Sequence, residues 1–248
     1  MHWLVTAGGT SVPIDKVRSI TNSSSGRTGA AIALAAHRAG HLVTLLTSRS
    51  DALSAVADGS WSPDERWAVH YFETYHELRE RMEKLLESRG IDALVQAAAV
   101  SDYDVAGAYA PAPGTVFYRD SGEWRSEGRP RMIDVSAAKI GSDAPEVWLR
   151  LIRNPKLIDA VRTDWRFRGV VVKFKLEAEV PEPDLLDVAE NSRQESDADL
   201  MVANTVEHKQ AWAWLGPIQG QYSRVSRSEL PRRLVEAVER CHERRGNG

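Results

Sequence analysis

Short runs of β-forming residues alternate with segments of helical periodicity through the first half of the chain, and this alternation restricts the fold more than any other feature. A strand is expected at His2 to Thr6, a helix from about Gly26 to Ala39 and a strand at Leu42 to Thr47, together a βαβ unit. A second helical pattern from about Tyr75 to Ser88, with Leu78, Met82, Leu85 and Leu86 at helical spacing, leads into a buried central strand at Asp92 to Gln96. The segment from Asp104 to Ala137 breaks the rhythm. It contains Ala-Pro-Ala-Pro at 110 to 113, and Thr115 to Tyr118 and Glu123 to Arg125 flank Ser121-Gly122 as the arms of a hairpin would. It reads as an excursion from the sheet, too polar and proline-rich to make its own core.

Alternation resumes with a strand at Val147 to Ile152, a helix from Pro155 to Arg162, a strand at Val170 to Phe174, a helix near Leu185 to Gln194 and a strand at Asp199 to Ala203. A charged helix at Val235 to Arg245 closes the chain. Right-handed crossovers then imply an α/β fold: a Rossmann-like, doubly wound, mostly parallel sheet with a flap or hairpin excursion at about 104–137, in a single domain over 1–248. At 42% hydrophobic, 248 residues suffice for one substantial core with chain left for site-building loops. The 32 Lys and Arg against 35 Asp and Glu, net charge -3, give no general electrostatic drive toward nucleic acid or an anionic membrane. One cysteine, Cys241, cannot make an internal disulfide framework. The amino terminus shows neither a secretory pattern nor an apolar run that could cross a bilayer, so a cytoplasmic protein is expected.

Ligands of such sheets bind beyond the carboxyl ends of the strands, which directs attention to the loops after Thr6, Gln96, Phe174 and Ala203. Thr-Ala-Gly-Gly-Thr at 6 to 10 offers Gly8, Gly9 and Thr10, where backbone can approach a phosphate; a tight turn explains it equally well, and the dinucleotide spacing Gly-x-Gly-x-x-Gly is absent. Thr-Asn-Ser-Ser-Ser-Gly-Arg-Thr-Gly at 21 to 29 precedes an alanine-rich helix, so Ser24, Ser25 and Gly26 with the positive helix end suit an anion, although a helix cap accounts for one of the serines. Ala97, Ala98 and Ala99 leave room for a planar base or sugar, or for close helix–sheet packing. Asp102 suits a ribose hydroxyl, a magnesium ion or a local turn. Lys-Ile-Gly-Ser at 139 to 142 is followed by Arg-Asn-Pro-Lys-Leu-Ile at 153 to 158, with Pro155 suited to a first helical position. Val-Lys-Phe-Lys-Leu-Glu at 172 to 177 puts Phe174 and two lysines at the mouth of a strand. His37 and His41 flank a helix end and do not form a metal-ligand pattern.

Six segments in register carry a resemblance: Gly-Gly-Thr-x-x-Pro-Ile-Asp at 8 to 15, Ile-Thr-Asn-x-Ser-Ser-Gly at 20 to 26, Ala-Ala-Val-Ser-Asp-Tyr at 98 to 103, Lys-Ile-x-Ser at 139 to 142, Phe-Lys-Leu-Glu at 174 to 177 and Asp-Leu-x-Val-Ala-Asn at 199 to 204. From about Leu4 to Glu207 the chain resembles the phosphopantothenate-cysteine ligases, also called phosphopantothenoylcysteine synthetases. The resemblance implies that 4'-phosphopantothenate is activated by a nucleoside triphosphate to an acyl-nucleotide and then attacked by the amine of L-cysteine, in coenzyme A biosynthesis. It implies magnesium and a homodimer, with the flap and the partner subunit closing over substrate. Carried over, Asn22 matches the asparagine that holds the acyl-nucleotide and Lys139 the lysine that neutralises the phosphates. The triphosphate would lie on the Ser24-Ser25-Gly26 helix start and the nucleoside between Ala97 to Ala99 and Phe174.

Two departures from the family pattern bear on the type. Gly141-Ser142 replace the last two lysines of the bifunctional bacterial motif and these 248 residues carry no decarboxylase segment, so a single-function member is expected. The helix after Phe174 offers Asn191 and Glu195 where CTP-using forms carry lysines, which favours ATP with CTP as the alternative. Two other readings compete: an NADP-dependent reductase, with Ser48-Arg49-Ser50 after the second strand as a seat for a 2'-phosphate, and a non-catalytic nucleotide-binding module. The tail beyond Glu207, with Trp212 and Trp214, has no assigned role in any of them.

Overall fold

A computed structural model of the chain describes residues 1–57, 59, 61–88 and 90–246. In chain order its elements are β1 (His2–Ala7), β2 (Ser11–Pro13), β3 (Ser19–Thr21), α1 (Arg27–Arg38), β4 (Leu42–Thr47), β5 (Trp67–Tyr71), α2 (Tyr75–Glu87) and β6 (Ala93–Gln96). There follow β7 (Tyr103–Pro111), β8 (Val116–Tyr118), β9 (Glu123–Arg125), β10 (Met132–Asp134), β11 (Trp148–Arg153), α3 (Leu157–Thr163), β12 (Val170–Glu177), α4 (Glu182–Glu195), β13 (Leu200–Thr205), β14 (Trp212–Ile218), β15 (Gln221–Ser226) and α5 (Leu230–Gly246). The chain forms two compact units, one of Met1–Thr10, Ser23–Val100 and Lys156–Gly248, the other of Ser11–Asn22 and Ser101–Pro155.

The first unit is built on an eight-stranded sheet of order β15-β14-β13-β12-β6-β1-β4-β5. Its six strands from β13 to β5 are parallel, and β14 and β15 extend it as an antiparallel hairpin. Strands β1, β6 and the first half of β12 are buried on both faces, which is why they read as unbroken apolar runs. Trp3, Val5, Val95 and Val172 pack with α1 and α5 on one face, and Leu4, Leu94 and Val171 pack with α2 and α3 on the other. α4 covers β13 through Leu185, Ala189, Met201 and Ala203. This is the doubly wound, mostly parallel arrangement expected. The strand order reverses between β1 and β6, so a ligand crevice belongs at their carboxyl ends.

The second unit holds a three-stranded sheet of order β10-β7-β11 and the hairpins β2–β3 and β8–β9, all antiparallel. The strand expected at Val147 to Ile152 therefore does not rejoin the parallel sheet: as β11 it pairs antiparallel with β7. Periodicity identifies a strand but not its partner. Nor does the excursion lack a core of its own, because Phe117, Trp124 and Trp148 meet with ring centroids 4.8–5.0 Å apart and Ala108, Ala110 and Ile140 are buried.

β5 and the hairpins β2–β3 and β14–β15 are further strands that no sequence pattern announced, and helix ends differ as well. Pro155 is not the first helical residue, since Lys156 is the N-cap of α3 and Leu157 its first residue. α4 begins at Glu182 and α5 at Leu230, earlier than expected, with Pro183 and Pro231 in their first turns. Proline is tolerated there because first-turn N–H groups have no intrahelical acceptor to lose. Among the described residues no helix is long and apolar enough to cross a membrane.

Candidate functional site

In the first unit the loops after β1, β4 and β6 are bonded to one another. Gly8 O accepts from Ala99 N at 2.8 Å and Ala99 O from Thr10 N at 3.1 Å, so the first glycine loop and the alanine run continue the pairing of β1 with β6. On the other side Gly9 N donates to Ser48 Oγ at 2.9 Å. Gly8 sits at φ 87°, in the left-handed region, and a Cβ there would collide with Ser48 Oγ. Ser48 is thus committed to bracing the loop, and Arg49 pairs with Asp51 at 3.2 Å. A seat for a 2'-phosphate at 48–50 has little support in that geometry.

The start of α1 lies against this loop. Its N-cap is Gly26, at φ 73°, with no side-chain cap and no acidic residue in the first turn. The alternative reading, in which one serine caps the helix, does not hold: Ser24 Oγ accepts only a long 3.4 Å bond from Gly26 N, and a left-handed glycine occupies the cap position. A Cβ on Gly26 would lie 3.1 Å from Gly8 N, and one on Gly29 would lie 2.7 Å from Ala7 Cβ and Thr6 O. Dinucleotide folds give three glycines the tasks of tight turn, close backbone approach and helix–strand packing. Here Gly8, Gly26 and Gly29 perform them, and the intervening residues 11–22 hide the pattern from a spacing search.

The helix end therefore presents uncapped N–H groups and its positive dipole, with Arg27 exposed beside them. Arg227, between β15 and α5, donates to Thr28 Oγ1 in this first turn. Burial lowers the Arg227 pKa, and among the described residues no carboxylate pairs with it. The tail thus contributes a cation that its composition alone did not single out.

Ala97 and Phe174 lie on the same face as α1, both half-buried against the α1/α5 core. They are level with each other, because Gln96 is in register with Lys173. Ala98 faces the opposite core. The two lysines around Phe174 are engaged: Lys173 is buried, its Nζ donating to Ser192 O at 2.7 Å and Ser196 Oγ at 2.6 Å, and Lys175 pairs with Glu177 at 2.9 Å. Asn191 is exposed on α4, beside the Ser192 that receives Lys173. Since Lys173 and Phe174 point to opposite faces of β12, Asn191 and Phe174 are not brought together.

Asn22 and Lys139 belong to the second unit. Asn22 Oδ1 accepts from Ser101 Oγ at 3.4 Å, and Ser101 O accepts from the buried Asn154 Nδ2 at 3.2 Å. Asn154 N also donates to Asp102 O at 2.8 Å, holding the turn that carries the exposed Asp102. Pro155 is exposed, so the residue of Arg-Asn-Pro-Lys that organises this loop is Asn154. Lys139 is exposed, but its neighbours on both sides are bonded to the β2–β3 turn: Lys16 N donates to Ala138 O at 3.0 Å, and Ile140 N to Asp15 Oδ2 at 3.0 Å. The Arg18 guanidinium, with the Ile140 amide next in weight, holds the Asp15 carboxyl well below the usual carboxylate range. Neither Asn154 nor Asp15 was distinguished from the motifs around it. Among the described residues no group of three or more His, Cys, Asp or Glu could hold a metal ion.

The family described as the DNA/pantothenate metabolism flavoprotein C-terminal domain matches residues 1–110. The coenzyme A biosynthesis bifunctional protein CoaBC of Thermococcus kodakarensis is 31% identical over 242 residues, 96% of this chain and 50% of that protein. The protein of the same name from Mycobacterium tuberculosis is 27% identical over 249 residues, 95% of this chain and 51% of its own. The chain thus spans about half the length of the curated relatives it matches. The crystal structure of the DNA/pantothenate metabolism flavoprotein from Streptococcus pneumoniae superposes with a TM-score of 0.75 at 25% identity, over 98% of this chain and 100% of that one. A Cab2 variant in complex with phosphopantothenate-cysteine gives a TM-score of 0.68 at 19% identity, over 100% of this chain and 89% of that one, a likeness of fold.

Proposed function

Because the chain is of the phosphopantothenate-cysteine ligase type, we propose that it joins 4'-phosphopantothenate to L-cysteine at the expense of a nucleoside triphosphate, through an acyl-nucleotide, in coenzyme A biosynthesis. A carboxylate oxygen attacks the α-phosphorus and pyrophosphate leaves; the cysteine amine then attacks the acyl carbonyl, and the nucleoside monophosphate leaves with its bridging oxygen as the amine loses a proton. The observation that carries this reading is the uncapped start of α1, with Gly26 and Gly8 in backbone contact, on the same face as Ala97 and Phe174. It suits a phosphate chain on the helix end and a nucleoside against the half-buried alanine and phenylalanine.

Lys139 would neutralise the phosphates, and Asn22 would donate its amide to oxygen of the acyl-nucleotide; each opposes charge that develops on oxygen. Asp102 would take a ribose hydroxyl or a magnesium ion. Magnesium fits best as an ion carried by the triphosphate, which it would partly neutralise, because hexacoordinate magnesium commonly takes one or two carboxylates together with substrate phosphates. ATP is the proposed nucleotide and CTP the alternative, a choice that rests on the family resemblance, in which CTP-using forms carry lysines at about the places of Asn191 and Glu195, and not on a contact of Asn191 with the Phe174 face. A homodimer is part of the proposal. The second unit leaves Tyr118, Met132, Ile133, Val147, Leu151 and Ile152 exposed, between 38% and 47% each, more apolar surface than so small a unit needs to show.

Pyrophosphate release tests the reading. Sustained release should require the chain, 4'-phosphopantothenate, cysteine and nucleotide together, with no more than a burst stoichiometric with the protein when cysteine is omitted, and with ATP at least as effective as CTP in initial rates. Release that is absent, or indifferent to phosphopantothenate, would sink the ligase reading, and a strong preference for CTP would reverse the choice of nucleotide.

A further inference from the structure

Lys139 is exposed, so packing of its own side chain does not fix where its ammonium points. What fixes its backbone is the turn between β2 and β3. Lys16 N donates to Ala138 O at 3.0 Å, Asp15 Oδ2 accepts from Ile140 N at 3.0 Å, and Arg18 Nη2 donates to Ile140 O at 2.8 Å. Three hydrogen bonds from Asp15, Lys16 and Arg18 of this turn therefore grip the residues on either side of the lysine. Ile140 is buried beneath them, 5% exposed.

The two oxygens of Asp15 do separate jobs. Oδ1 accepts from Val17 N at 2.8 Å and Arg18 N at 2.7 Å, which builds the turn itself. Oδ2 accepts from Arg18 Nε at 3.0 Å, Arg18 Nη2 at 2.6 Å and Ile140 N at 3.0 Å, which ties the turn to the lysine segment. The carboxylate is wholly covered by these donors, while Arg18 is half exposed. An aspartate that only shaped a turn would need Oδ1 alone.

We propose that Asp15 is a positioning residue for Lys139, holding the lysine-bearing segment through Oδ2 and Arg18 so that the ammonium meets the nucleotide phosphates. This rests on the reading of Lys139 given above. The Asp15 carboxyl is held ionised far into acid by Arg18, so the latch stays closed across the working pH range. Asp15→Asn is the selective break: the amide can keep its oxygen toward Val17 N and Arg18 N, but its NH2 then faces the donors of Arg18 and Ile140. A small displacement of a catalytic group costs up to roughly a hundredfold. Asp15→Asn should therefore lower kcat by about ten- to a hundredfold, with KM for cysteine and phosphopantothenate unchanged.

The test is a double-mutant cycle of Asp15→Asn and Lys139→Gln in the ligation assay, with hydrogen exchange at the Ile140 amide measured on the same proteins. If Asp15 acts through the lysine, Asp15→Asn costs nothing further once Lys139 is glutamine, and Ile140 exchanges faster while the β2–β3 turn amides do not. An equal loss in both backgrounds, or an active wild type that Asp15→Asn leaves unchanged, overturns the proposal and spares the functional reading. A folded wild type that ligates nothing sinks both. Arg18→Met, which leaves the Oδ1 turn intact, guards against misfolding of the first variant and should reproduce the same non-additivity.

Discussion

Asn22 takes its orientation from Ser101, and Ser101 from the buried side chain of Asn154, so the end of the amide turned away from the Ser101 hydroxyl is the N–H end. Asn22→Asp keeps the shape and replaces that donor with a carboxylate, which on the proposed reading would oppose the oxygens of the acyl-nucleotide. Loss of one such donor typically costs about a hundred- to a thousandfold, so ligation should fall by at least roughly a hundredfold with Tm close to wild type. A folded Asn22→Asp variant with near-normal turnover would make the asparagine a turn residue only. Glu190 sets a different dependence. Arg193, with help from Gln194 and Tyr222, lowers its pKa to about 2. Its folded value is depressed, so its stabilising contribution is complete above the unfolded glutamate range near about 4.3 and is lost as pH falls toward the folded value. Urea unfolding between about pH 6 and about pH 3 should show this decline, and Glu190→Gln should flatten it; an equally steep decline in the variant would assign the effect elsewhere. At this scale the motifs were legible but the choice within them was not. Asp15 and Asn154 stand in segments singled out by sequence, yet Asp15 matters because of an amide 125 positions away.

The elements that could be read from sequence are those with a local signature. α1, α2 and the buried strands β1, β4, β6 and β12 show helical spacing or unbroken apolar runs, and α2 carries a capping box between Thr74 and Glu77. The hairpins β2–β3 and β14–β15 were invisible because β2 and β3 have only three residues each, and β14 and β15 show neither an unbroken buried run nor a clean alternation of buried and exposed residues. The contact of α1 with β1 was equally hidden, since it depends on Gly29 touching Ala7 and Thr6. Gly29→Ala would place a methyl 2.7 Å from Ala7 Cβ and Thr6 O. Overpacking of that kind costs about 1–3 kcal/mol, and the first turn of α1 would have to lift from the sheet. Chemical denaturation should show the loss together with weaker nucleotide binding; a variant as stable as wild type would mean the helix relaxes freely.

For the molecule as a whole, the sequence anticipated the parallel sheet and its excursion, but not that residues 11–22 and 101–155 form a compact unit with its own aromatic centre. Partners separated by that much chain leave no periodic trace. The exposed apolar residues of that unit lead to an expected homodimer, twice the 27.5 kDa of the chain by light scattering. Ile133→Asp combined with Leu151→Asp should yield a folded monomer, because both side chains are exposed and neither fills the core of its unit. A wild type that is monomeric at working concentration would remove the dimer from the account. The proposed acyl-nucleotide chemistry has a direct isotopic signature. With both carboxylate oxygens of 4'-phosphopantothenate labelled with oxygen-18, attack on the α-phosphorus followed by aminolysis must leave one label in the nucleoside monophosphate. Mass spectrometry of the products should find that label in the monophosphate and unlabelled pyrophosphate; label in inorganic phosphate with nucleoside diphosphate, or label in neither product, would contradict the account.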